Sequence, residues 1–448
     1  MPASAQSTVE SYSRAEQRAW YFYDWANSAF YTTVVAVMLG PYLTSLAKAA
    51  AGADGYVHPL GLSVPAESVW SYAISISVLS QVLALPLFGA LADYGRRKRE
   101  MLGALALAGA AATAAMFLLD GGRYLAGVAL FLVANFVFGA SIVVYNSFLP
   151  EIAPAGDRDA VSSKGWGLGY LGGGLLLAGN LVLFSNAASL GISEGLAVRI
   201  CLASAGLWWA LFTIIPYRGL HNRAPRKRLD HGRSLLPAAL DQLRHTLGQV
   251  TRYPQTLLFL AAYLIYSDGI QTVIALAAQF GSEELHMGME DLTKAILMVQ
   301  FVAFAGALLF NRIAARLGSQ RTVLLTLAIW AATLVYIYFE VHSVREFFIA
   351  AAVIGLVMGG SQALSRSLFS LMIPKGKEAE YYAVYEISDK GTAWLGPLMF
   401  GLALQTTHSF RVAILSMIVF FVAGMILLAR VDVGRACLEA GNNRQNPS

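Results

Sequence analysis

The sequence predicts an all-α membrane protein of twelve transmembrane helices, arranged as two pseudo-symmetric six-helix bundles. Three observations predict it. The chain of 448 residues is 57% hydrophobic and only 13% charged, where a soluble domain carries about 25% charge. Apolar runs of about 20 residues recur from end to end. The basic residues collect in alternate loops between those runs, a split that supports an even number of crossings.

A water-soluble fold this apolar would lack the polar surface to cover itself, whereas a bilayer accepts an apolar exterior. The runs fall at about 20–46, 68–92, 101–119, 124–149, 163–186, 197–217, 255–280, 292–312, 321–340, 345–373, 381–406 and 409–430. They are helices because hydrocarbon offers no water to unpaired backbone groups, and they are too long and uniformly apolar for barrel strands. The polar first nineteen residues carry no signal-peptide pattern, so the first run is an uncleaved span. Twelve spans put both termini on one side. That side holds 24 of the 32 Lys and Arg residues, and the other holds six: Lys48, Arg123, Arg199, Lys294, Arg345 and Arg411. Arg366 and Lys390 fall inside spans. The split places both termini in the cytoplasm, and the lean loops suit a bacterial cytoplasmic (inner) membrane. The net charge of +5 thus reflects topology, with no nucleic-acid partner expected.

Residues 1–217 form the first bundle and 255–430 the second. Between them, 218–254 is a basic linker containing Arg223-Ala224-Pro225-Arg226-Lys227-Arg228 and an amphipathic stretch near 234–249. The tail 431–448 is short, polar and expected to be mobile. The halves echo one another. Pro150 is followed by Ser162-Ser163-Lys164-Gly165-Trp166, and Pro374 by Ser388-Asp389-Lys390-Gly391 and Trp394. The loop Gly89-Ala-Leu-Ala-Asp93-Tyr-Gly95-Arg96-Arg97-Lys98-Arg99 has a faded counterpart in Asn311-Arg-Ile-Ala-Ala315-Arg316-Leu-Gly318-Ser-Gln-Arg321. Parallel six-helix repeats are a transporter architecture.

Polar residues inside spans are costly unless they face protein or water, so their placement points to function. In the first span Asp24, Asn27, Ser28 and Tyr31 fall at i, i+3, i+4 and i+7, one stripe on a helix. The fourth span carries Asn135, Tyr145 and Asn146. The seventh carries Tyr263, Tyr266, Ser267, Asp268 and Gln271, and the tenth Ser361, Gln362, Ser365 and Arg366. A three-helix period relates these four spans, which would surround a central cavity. Asp268 lies about 20 Å from the cytoplasmic end of its span, near the bilayer centre. It is the foremost candidate for a substrate or proton site, and Gly269 beside it would ease a local helix break. Asp24, Arg366 and Glu386 lie nearer that end, with Asp389 and Lys390 slightly deeper. By depth, Glu386 and Asp389 are the expected carboxylate partners of Arg366. That cluster reads either as a moving inner gate or as a fixed charge network.

Other chemistry finds no support. Cys201 lies in an apolar run and Cys437 in the tail, too few for a disulfide framework or metal cluster. Neither His-Glu-x-x-His nor Gly-x-Ser-x-Gly occurs, and the glycine run 165–174 lacks the strand and the Gly-Lys-Ser/Thr ending of a phosphate loop. Gly169 and Gly173 have the small-xxx-small spacing of close helix packing. No cofactor, metal or enzyme activity is expected.

The loop from Gly89 to Arg99 resembles the helix 2–3 signature of the major facilitator superfamily. Two further segments resemble its vacuole-effluxer-like branch, which includes a fungal autophagy-related vacuolar amino-acid exporter and many bacterial members. One is Tyr23-Asp24-Trp25-Ala26-Asn27-Ser28-Ala29-Phe30. The other is Gly359-Gly360-Ser361-Gln362-Ala363-Leu364-Ser365-Arg366-Ser367, continuing through Pro374, Glu380, Tyr385-Glu386 and Lys390-Gly391 to Trp394-Leu395-Gly396-Pro397. The resemblance implies the major facilitator fold and alternating access by two bundles. It also implies that Asp93, with Arg96 and Arg97, joins an inner gate touching the start of the eleventh helix. Ala315 stands where Asp93 has its repeat, so this gate would be asymmetric. The fifth span lacks the Gly-Pro motif of proton-coupled drug exporters.

The expected function is a secondary transporter of a small polar solute, with amino acids or short peptides foremost and protons as a coupled partner. A zwitterion needs a cation for its carboxylate and an anion for its amine, and Arg366 with Asp268 or Asp24 would supply both. The alternative is an exporter of sugar-like or amphiphilic compounds, using Trp394, Tyr263, Tyr266, Asn27 and Gln271. A membrane receptor or membrane-embedded enzyme is the alternative of another class.

Overall fold

The first helix starts where Ser13 caps it, its hydroxyl accepting the N–H of Glu16. It then runs as α1, Arg14–Ala50, in a computed structural model that describes residues 13–66, 69–223, 252–390 and 395–442. The side chains of 387–390 lie outside the description. Within α1, Phe30–Met38 is wound as a π-helix, and the N–H of Leu39 reaches the carbonyl of Val34. Pro41 has no N–H to give to residue 37, and the wider turn just before it absorbs that defect.

The remaining crossings are α2 Val69–Tyr94, α3 Lys98–Ala115, α4 Tyr124–Asn146, α5 Arg158–Ser185, α6 Glu194–Gly219, α7 Pro254–Glu284, α8 Met289–Leu317, α9 Ser319–Glu340 and α10 Val344–Leu371. Then follow α11 Glu378–Lys390, α12 Leu395–Thr407, α13 Phe410–Ala429 and a short α14 Val433–Glu439. A small antiparallel hairpin, Tyr56–Val57 with Val64–Pro65, joins α1 to α2. Serine caps recur at Ser193, Ser343 and Ser409, with a full capping box at Ser343 and Glu346.

Eleven described helices are each long and apolar enough to cross a membrane. The eleventh span of the sequence corresponds to α11 and α12 together, neither of which has that length alone. Its first part, with Glu378, Glu380, Glu386 and three tyrosines, is also polar for a segment of a crossing.

Two hydrophobic cores result. One gathers Trp20, Phe30, Phe131, Tyr145 and Trp209 from α1 to α6. The other gathers Phe259, Tyr266, Trp330, Phe369 and Phe421 from α7 to α13. Ala379 and Ala383 of α11 belong to the first core, and Tyr170 of α5 to the second. The halves therefore meet along the fifth helix of each. Helix α5 packs on α1, α8 and α10, while α11 packs on α2 and α4. Outside, Leu79, Leu83, Val182, Leu207, Leu211 and Phe339 are exposed, the apolar exterior that a bilayer solvates.

Three expectations need comment. Helix α7 runs without a break through Gly269; a Cβ there would lie 2.8 Å from that of Phe420, so the glycine serves close packing. The tail is docked as far as residue 442. Ala436 and Cys437 are buried, and Asn442 Nδ2 donates to the carbonyls of Leu371 and Ile373 at the end of α10. Those orphan carbonyls give a polar tail something to bind. The amphipathic stretch expected near 234–249 lies outside the described residues.

Candidate functional site

The site begins with a backbone that comes unusually close. A Cβ on Gly165 of α5 would lie 2.7 Å from Asp24 Oδ2 and 3.0 Å from Arg366 Nη2, and one on Gly169 would lie 2.7 Å from Ser28 Oγ. The absent side chains let α1 lie against α5 and leave a slot for a guanidinium from α10.

Arg366 fills that slot and is 3% exposed. Its Nη1 donates to Asp24 Oδ2 at 3.1 Å and, at 3.5 Å, to Asn146 Oδ1. Nε donates to Ser162 Oγ and Nη2 to the Ser162 carbonyl, each at 2.8 Å. The guanidinium also lies over the rings of Trp20, at 4.8 Å, and Trp166, at 5.2 Å. The same carboxylate oxygen also accepts from Tyr145 OH, at 2.7 Å. Trp20 stacks on Tyr145 and donates to its carbonyl, fixing both rings. Depth along the spans ranked Glu386 and Asp389 as partners of Arg366, but its described carboxylate partner is Asp24. Depth gives the level of a residue and not its direction around the helix. Glu386 instead accepts from Asn146 Nδ2 at 3.2 Å, so the Asn146 amide stands between it and the guanidinium.

More bonds between the halves surround this pair, toward the end that carries both termini. Asp93, at the end of α2, accepts the N–H groups of Ala379 and Glu380 at 2.9 and 3.0 Å. These are first-turn donors of α11, which no carbonyl of their own helix can satisfy. Asp159, in the first turn of α5, accepts from the hydroxyls of Ser319 and Ser367. Arg158 Nη1 donates to the Ser370 carbonyl, Ser162 Oγ to that of Ala363, and Tyr170 OH to Gln362 Oε1.

Asp268 is bonded within the second half. It is 1% exposed and accepts the Gly396 N–H at 2.9 Å, so it joins α7 to α12 within the second half. Near it Tyr266 OH shares a hydrogen bond with Ser365 Oγ, and Tyr263 stacks on Tyr385. Gln271 is half-buried. In the first half, half-buried Asn135 donates to Ser77 Oγ at 2.7 Å. Along α1, Asn27 is buried, Ser28 packs on Gly169, and Tyr31 is 47% exposed. Arg96 and Arg97 are exposed. The side chains of Asp389 and Lys390, and all of Trp394, lie outside the described residues. No cluster of three metal-ligating side chains occurs among the described residues.

Ser162, Trp166, Tyr170 and Asp159 were not singled out as site residues from the sequence. The signal for the first two was the repeat around Ser162-Ser163-Lys164-Gly165-Trp166. Trp20 carried none, since an indole near a helix start reads as ordinary core.

A family model described as "Vacuole effluxer Atg22 like" matches residues 12–157 and 153–441. An MFS-type transporter of Bacillus subtilis, YxiO, is 29% identical over 418 residues, covering 93% of this chain and 94% of that protein. Autophagy-related protein 22 of Eremothecium gossypii is 26% identical, covering 94% and 91%. Among solved structures, the fold matches a bacterial homologue of the iron transporter ferroportin in its outward-facing state, with TM-score 0.66 at 14% identity over 93% of this chain and 99% of that one. It also matches the proton:xylose symporter XylE, with TM-score 0.67 at 13% identity over 93% and 95%.

Proposed function

Because the chain belongs to the vacuole effluxer Atg22-like family of major facilitator transporters, we propose that it carries amino acids or short peptides by alternating access. It is an integral membrane carrier and not an enzyme. In this reading the carrier sits in a bacterial inner membrane with both termini cytoplasmic. Residues 1–217 and 255–430 are its two moving bundles, and the inter-half bonds close its cytoplasmic end.

One observation carries the substrate class: a buried ion pair, Arg366 with Asp24, ties one half to the other. Opening the cytoplasmic end must part it, and stripping a buried charge of its partner costs about 3–5 kcal/mol. A solute that brings its own carboxylate to Arg366 offsets that loss. Asp268 and Asp24 are the candidate anions for the solute's amine. The charge network is thus a moving gate, with Asp93, Arg366 and Glu386 in it.

Counterflow in proteoliposomes tests this, with labelled L-amino acids, dipeptides and sugars. The expected result is exchange of an amino acid or dipeptide, lost on substitution of Arg366. Exchange of sugars alone would overturn the substrate class.

A further inference from the structure

Each partner named above for the Arg366 side chain belongs to the first half: Asp24, Ser162 and Asn146. When the halves part, the guanidinium loses them together. Asp24 fares differently. Its second donor, Tyr145, is in its own half and stays with it. Asp24 is then a sheltered carboxylate beside a neutral hydroxyl, with its cation gone. Two donors nearby also await an acceptor. Asn27, one turn along α1 and 3% exposed, has no hydrogen-bond partner for Nδ2 among the described residues. Trp166, whose ring lies on Arg366, has none for Nε1. Buried donors are normally satisfied, and a carboxylate with two oxygens suits such a set.

We infer that Asp24 is the coupling-proton site, and that a solute carboxylate takes its place on Arg366, with Asn27 and Trp166 of the first half as further donors once the halves close again around the solute. This rests on the reading of the chain as a carrier of carboxylate-bearing solutes, and it leaves Asp268 for the solute's amine. The exchange balances: the Asp24 carboxylate takes one proton from water, and the guanidinium trades one carboxylate for another. Release reverses both steps. Among the described residues, the ionisable groups around Asp24 are Arg366 from α10, Tyr145 from α4, Tyr170 from α5 and Tyr23 on α1 itself, with Glu386 of α11 behind Asn146. Arg366 alone among these is a cation, so solute and proton bind together and travel in the same direction.

The test uses the full-length protein in proteoliposomes, with labelled L-leucine and L-alanyl-L-alanine as probes and the membrane potential clamped at zero. One proton per solute means that a pH gradient of one unit sustains about tenfold accumulation. Asp24→Asn should abolish that accumulation while slower counterflow persists. Trp166→Phe and Asn27→Leu should raise KM for the carboxylate probes, and a decarboxylated amine should not be driven. Wild-type counterflow without proton movement, or wild-type accumulation by Asp24→Asn, would overturn the inference while leaving the carrier reading standing. If Asp24→Asn does not fold, the wild-type proton count decides. If no carboxylate-bearing probe exchanges at all, the substrate reading fails and this inference falls with it.

Discussion

Two turns that are related by the internal repeat solve one problem with opposite polarity. In the first half, the end of α2 supplies an anion, Asp93, and the start of α11 supplies two backbone N–H donors. In the second half, the repeat position is Ala315, which is exposed. The turn between α8 and α9 instead supplies a hydroxyl, Ser319, and the anion is Asp159 on α5. Each turn still fastens its half to the fifth helix of the other. The carboxylate has moved across the interface, so that Asp24, Asp93 and Asp159 all belong to the first half. The difference teaches that the repeat preserves where the halves are joined and not which side brings the charge. It also predicts unequal strength. Asp93 meets the rigid, dipole-aligned donors of a helix start, whereas Asp159 meets hydroxyls that can turn to other acceptors.

The largest effect should come from the pair between the two turns. Arg366→Ala should destabilise the closed end by about 3–5 kcal/mol, read as a widened distance between spin labels placed on α2 and α11. Asp93→Asn leaves one amide oxygen for two N–H donors, and should cost about 1.5–3 kcal/mol in the same measurement. Gly165→Ala pushes a methyl against Asp24 and Arg366, with an expected cost of about 1–3 kcal/mol in thermal unfolding. Asp159→Asn should cost less than Asp93→Asn, about 1 kcal/mol, because an amide oxygen still accepts from serine. Equal losses at the two aspartates would break the comparison. Smallest of all, Ala315→Asp should change stability within about 0.5 kcal/mol, since residue 315 points away from the interface. A marked tightening there would show the two turns to be equivalent after all.

Much of this was legible in advance, and the limits of legibility are physical. The polar stripe beginning at Asp24, the embedded Arg366 and the paired loops stand out because a charged or amide group inside an apolar run has a cost that composition alone reveals. The partner of Arg366 did not stand out. Glu386 and Asp389 lie at a suitable depth, but α11 places Glu386 against Asn146, and α10 turns its guanidinium toward α1. The position of Asp268 in an apolar run implies burial, yet its bond to Gly396 joins two helices of one half, which spacing within a single span does not disclose.

By itself, then, the sequence determined the helices, their number of crossings, their internal repeat and which side chains would be expensive to bury. Those properties are local: each depends on the hydrophobicity of about 20 consecutive residues or on a 3.6-residue period. Only the tertiary structure decided who satisfies whom. Asp24 meets Arg366, 342 residues away in the chain, because two glycines let α1 and α5 touch and because α10 arrives from the other half. The energy of a buried charge is settled by direction within a few ångströms, and no periodicity in the chain records that direction.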